Sequence, residues 1–70
     1  MNNIDEIYSA KAREMLALYR NGDITYDEFF SMKAKLLDLS SINKLLKESN
    51  SQVTAANIVT SVTDILSVVK

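Results

Sequence analysis

The chain has 70 residues and a formal net charge of −1, with no Cys, His, Trp or Pro and a single Gly. A chain of that length forms one domain and buries only about 60% of the surface its unfolded form exposes, and without Cys or His neither a disulfide nor a structural zinc can support it. The same absences remove the thiol nucleophile and the imidazole base, so the composition points away from an enzyme and towards a fold supported by self-association or by docking on a partner.

Ile4 to Arg20 has helical periodicity. At 100° per residue, Ile4, Ile7, Tyr8, Ala12, Met15, Leu18 and Tyr19 gather on one side, and Asp5, Glu6, Ser9, Arg13 and Arg20 on the other. Lys11 falls within the apolar arc, where its stem can lie along the surface and its head reach water. Asn2 or Asn3 can cap the start, and Asp5 and Glu6 suit the positive end of the helix dipole. The N-terminus has neither a basic nor an apolar leader region, so a cytoplasmic protein is expected.

The stretch RNGDITYDEFF, Arg20 to Phe30, holds the one glycine. Gly22 follows Asn21 where the periodicity stops, and it suits the left-handed residue just past a helix end. Thr25 then reads as the cap of the next helix, with Glu28 completing a capping box and Ile24 and Phe29 forming the hydrophobic staple. Asp23, Asp27 and Glu28 lie close together but lack the alternating spacing, the sixth-position glycine and the twelfth-position glutamate of a calcium loop. The corner thus stops one helix and starts another, and no cofactor or metal is expected.

The run LYRNGDITYDEFFSMKAKLL, Leu18 to Leu37, resembles the short helical-hairpin module called the SHOCT (short C-terminal) domain. The matching positions are Leu18, Gly22, Ile24, Thr25, Asp27, Glu28, Phe29, Lys33, Leu36 and Leu37. The resemblance implies a helical hairpin without catalytic residues that serves oligomerisation or protein contacts.

Beyond the corner, Phe29, Met32, Leu36 and Leu39 form a core-like stripe, with Phe30 and Leu37 beside it. Ser40 and Ser41 can cap a further short helix, Ile42 to Lys47, or lie inside one helix from Tyr26 to Glu48; a kink or short break near Ser40 is favoured. Lys33, Lys35, Lys44 and Lys47 make a loose basic stretch that Asp38 and Glu48 interrupt, which reads as a solvated face.

Residues 48–52, ESNSQ, read as a linker, with Asn50 or Ser51 capping the last helix. From residue 53 to 70 the apolar residues Ala55, Ile58, Val59, Val62, Ile65, Leu66 and Val69 fill a continuous arc of roughly 120° on a helical wheel. The β-branched content favours a strand, but strand alternation would bury Ser61 and Ser67 with some of the valines, so a helix is expected. Its polar side chains, Thr54, Asn57, Thr60, Ser61, Thr63, Asp64 and Ser67, make it too polar to span a membrane. It also lacks the Lys/Arg-rich face of a membrane-surface helix.

The expectation is therefore one all-α domain, residues 1–70: a small bundle of three to four helices built on an N-terminal hairpin. Within it, residues 1–47 form the hairpin and its extension, 48–52 the linker and 53–70 a C-terminal amphipathic helix. The seven residues of the last arc are the candidate interaction surface, whether within the bundle or against another chain. The expected function is a non-catalytic protein–protein interaction module that self-associates and acts as adaptor, inhibitor or chaperone of a larger protein, with no membrane and no small-molecule substrate. The alternative is a small nucleic-acid-binding regulator. It is disfavoured because the would-be recognition helix opens with YDEFF, whose two carboxylates would repel phosphate.

Overall fold

The computed structural model describes residues 4–68 and contains four helices among them: α1 (Ile4–Arg20), α2 (Tyr26–Leu36), α3 (Leu39–Glu48) and α4 (Ala55–Leu66). Together they form a small helical bundle, as the periodicity predicts, and no described residue belongs to a strand. α1 is the central member: α4 packs along it, α2 folds back on it as the second arm of a hairpin, and α3 lies on α4. The molecule is elongated, 37 × 19 × 17 Å.

The hairpin corner forms as the sequence dictates. Gly22 sits at φ 79°, in the left-handed region. Its amide donates to the Tyr19 carbonyl at 3.1 Å, and the Asp23 amide donates to the Leu18 carbonyl at 2.9 Å. That pair of bonds is the Schellman closure, which satisfies carbonyls the helix end would otherwise orphan. The capping box comes directly after it: the Glu28 amide donates to Thr25 Oγ1 at 3.1 Å, and the Thr25 amide donates to Glu28 Oε1 at 2.9 Å. Phe29 is buried, and Ile24 packs partly buried against the same core.

The break beyond α2 lies a little earlier than the serines suggest. α2 ends at Leu36, and Asp38, not Ser40 or Ser41, caps α3. The Asp38 carboxylate accepts from the Ser40 amide at 3.0 Å and from the Ser41 hydroxyl at 3.2 Å. An aspartate can satisfy a free amide and a hydroxyl together, so it outcompetes the serines it binds. With the chain broken here, Leu39 leaves the expected stripe and is 54% exposed.

The next junction also departs from expectation. Asn50 adopts φ 54° and closes α3, with the Ser51 amide donating to the Leu46 carbonyl at 3.1 Å. Neither Asn50 nor Ser51 caps α4; Thr54 does, its hydroxyl accepting from the Asn57 amide at 3.2 Å. Asn is the non-glycine residue that best tolerates the left-handed region, so it ends one helix here rather than starting the next. The connection consequently runs to Thr54, and α4 starts at Ala55.

The core draws on all four helices: Ile4, Tyr8, Ala12 and Met15 from α1, Phe29 from α2, Ile42 and Leu46 from α3, and Ile58, Val62 and Leu66 from α4. None of the buried residues is charged, and no buried side-chain polar atom among the described residues lacks a partner. No helix of the described residues is long and apolar enough to cross a membrane.

Candidate functional site

α1 presents three faces. Its centre, Ile4, Tyr8, Ala12 and Met15, is buried. Its charged back includes the exposed Arg13 and Arg20. Between them runs a flank that periodicity assigns to the core but that is exposed: Ile7 is 44% and Leu18 37% accessible. Leu16, on the other edge, is partly buried instead. α4 and α2 cover only part of the apolar arc, so one edge of it stays open.

That open edge forms one wall of a groove of about 430 Å³ between α1 and α2. From α1 it is lined by Tyr8, Lys11, Glu14, Met15 and Leu18, and from α2 by Met32, Lys35 and Leu36. The floor is apolar and the rim carries both signs of charge. Lys11 takes the place its arc position suggests, exposed on the wall beside apolar neighbours. The Tyr8 hydroxyl has its pKa raised above 10.0, first by burial and second by the negative charge of Asp38. It therefore stays protonated and neutral at neutral pH.

On the opposite flank of α2 lies an aromatic row. Phe29, which is buried, is tilted against Tyr19 with ring centroids 5.1 Å apart. Tyr19 meets Tyr26 edge-on at 6.1 Å, and Tyr26 meets Phe30 at 6.3 Å. The row starts in the core and ends in solvent, with Tyr26 51% and Phe30 56% exposed. Phe30 thus lies at the surface rather than beside a buried stripe. Asp23 and Asp27, at the same corner, are exposed as well.

The arc singled out from sequence on the last helix divides. Ile58 and Val62 are wholly buried and Leu66 nearly so, all within the single-chain core. Ala55, Val59 and Ile65 pack partly buried at its edge, and Val69 lies outside the described residues. The groove was not legible in the sequence, because its walls belong to two different helices; Lys11, a charge inside the apolar arc of α1, was its one trace.

Among the described residues no three acidic side chains converge in a way that could hold a metal ion. Comparison with family models, curated proteins and solved structures finds no match to this chain.

Proposed function

We propose that the chain is a small non-catalytic helical interaction module that self-associates and serves as adaptor, inhibitor or chaperone of a larger protein. The observation that carries this reading is the large apolar side chains left at the surface on both flanks of α2: Tyr26 and Phe30 on one, and the α1 flank with Ile7 and Leu18 beside the groove on the other. A fold of 70 residues has little apolar area to spare, and each such side chain, about half exposed, forgoes about half of the roughly 1.5–3 kcal/mol that full burial is worth. Apolar residues clustered at a rim of charge are the usual mark of a protein-contact surface. The aromatic row suits a hot spot, since rigid rings anchored in the core lose little entropy on binding. The likeness of Leu18 to Leu37 to the SHOCT hairpin supports the same reading. On this view the partly covered residues Ala55, Val59 and Ile65 also offer an edge to a second chain.

The test is a photo-crosslinking amino acid placed at Phe30 in the cells that express the protein. A discrete adduct heavier than two copies of the chain is expected, and Tyr26→Lys should suppress it. Adducts that are absent, or that Tyr26→Lys leaves unchanged, would refute the adaptor reading.

A further inference from the structure

Four exposed residues of α1 stand in one line beside the groove: Ile7, Lys11, Glu14 and Leu18. Their spacing of four, three and four keeps them within an arc of roughly 60° at 100° per residue. Read along the helix, the order is apolar, basic, acidic, apolar. Read backwards, apolar groups face apolar groups and each charge faces its opposite.

From this order we propose that α1 pairs with α1 of a second copy of this chain, antiparallel about a two-fold axis, each helix lying along the other's groove. In such a pair, residues face each other when their numbers have a constant sum, and 7 with 18 gives the same sum as 11 with 14. One register therefore sets Ile7 against the second copy's Leu18 and Lys11 against the second copy's Glu14. The symmetry repeats both contacts, as an isologous interface requires. In that arrangement the apolar floor, Tyr8, Met15, Met32 and Leu36, covers the second copy's Ile7 and Leu18. Lys35 on the far wall supplies a further cation near the second copy's Glu14.

The charges argue against other occupants. The α1 strip is neutral in sum, and with Lys35 the groove carries two cations and one anion, so a strongly basic peptide meets net repulsion and a polyanion still meets Glu14. A second copy is the partner certain to carry the matching order in reverse. The interface is small. A helix of 17 residues is about 25 Å long and about 10 Å across, so one face of it offers on the order of 250 Å², well under the roughly 800 Å² that a standard interface takes from each partner. The dimer is accordingly weak and dissociates on dilution.

This inference rests on the reading of the chain as an interaction module and is tested by sedimentation equilibrium of the intact chain at low salt, from about 10 μM to about 1 mM. The expected result is a mass that rises with concentration from 7.8 kDa towards twice that value. Lys11→Glu and Glu14→Lys each set like charges face to face twice over by symmetry, and each should weaken association about tenfold. The combined Lys11→Glu/Glu14→Lys chain restores the pairing and should regain the parent's affinity. All the substituted side chains are exposed, so helix content by circular dichroism should be unchanged. A monomer throughout the range overturns the dimer, while the adaptor reading is still judged separately by the Phe30 cross-link on the other flank of α2. A dimer that neither single reversal weakens also overturns it, and would direct attention to Ala55, Val59 and Ile65. Weakening that the double exchange does not restore overturns the antiparallel register.

Discussion

Replacing Val62 with Asp tests whether α4 is an integral wall of the fold. Val62 is wholly buried, and the core cluster around it combines residues of all four helices. At about 0.05–0.15 kcal/mol per residue, a 70-residue chain has a stability of about 3.5–10 kcal/mol. Losing the valine forfeits about 1.5–3 kcal/mol of burial, and an ionised carboxylate in its place costs several kcal/mol more. The sum matches or exceeds the whole stability, so Val62→Asp should show no cooperative thermal transition at neutral pH by circular dichroism. Ile65→Asp, at a partly buried site, should fall between this and Val68→Asp, whose site is 52% exposed and which should cost less than about 0.5 kcal/mol, a shift of no more than about 4 °C.

The sign of the pH dependence comes from the same burial. It raises the introduced carboxyl's pKa in the folded state above its unfolded value of about 3.9, so the folded state holds the proton more tightly. The penalty is smallest below about pH 4 and grows as pH rises past it, so relative to the parent the variant should recover on acidification. A Val62→Asp chain that melts cooperatively at neutral pH within a few degrees of the parent would mean that α4 is not part of the packed core.

Gly22→Ala should destabilise by about 1 kcal/mol in urea melts. An added Cβ meets nothing within 4 Å, so the whole cost is backbone strain at positive φ, and a much larger loss would contradict the open geometry. Thr25→Ala should cost about 1 kcal/mol by removing one half of the capping box, and a variant equal to the parent would deny the cap its role. Tyr8 should make stability fall as pH rises above about 10, because the fold holds the phenol proton more tightly than the unfolded chain does; Tyr8→Phe should flatten that limb of a melting-temperature profile. Micromolar calcium should leave the melting temperature unchanged, since no acidic cluster among the described residues is arranged to bind it.

The parts of this fold that were legible in the sequence are those with local causes. The corner is written within a few residues: Gly22 supplies positive φ, and Thr25 and Glu28 supply reciprocal bonds that no distant contact must complete. The buried faces of α1 and α4 follow from periodicity, since Ile4, Tyr8, Ala12 and Met15, and Ile58, Val62 and Leu66, repeat at three- and four-residue intervals. The junctions without glycine were harder. Asn50 is equally good as a helix start and as a left-handed stop, and Thr54 is followed three residues later by Asn57 rather than by the Glu or Gln that would mark it. Asp38 looked like an interruption in a basic stretch, whereas its carboxylate organises the Ser40 amide and the Ser41 hydroxyl. Periodicity also cannot say which edge of a wide apolar arc a neighbour will cover. Ile7 and Leu18 belong to the arc of α1 by angle, and only the placement of α2 leaves them exposed.

That placement joins the corner to the groove. Near Gly22 the two arms are held together by the contact of Tyr19 with Phe29, ring to ring at 5.1 Å. Farther along, Tyr8 and Lys11 on one arm and Met32 and Lys35 on the other line an open groove rather than a seam. The hairpin is thus clasped by aromatic contact at its turn and grooved along one side. α4 closes the other side of α1, so the bundle's requirement of α1 is met by Ile4, Tyr8, Ala12 and Met15. Ile7 and Leu18 are surplus to that requirement. Polar residues there would leave the four buried positions of α1 unchanged and put less apolar surface in water. Apolar groups left about half in water, at the two ends of a strip whose middle carries one charge of each sign, are the feature on which the proposed pairing of α1 with a second copy rests.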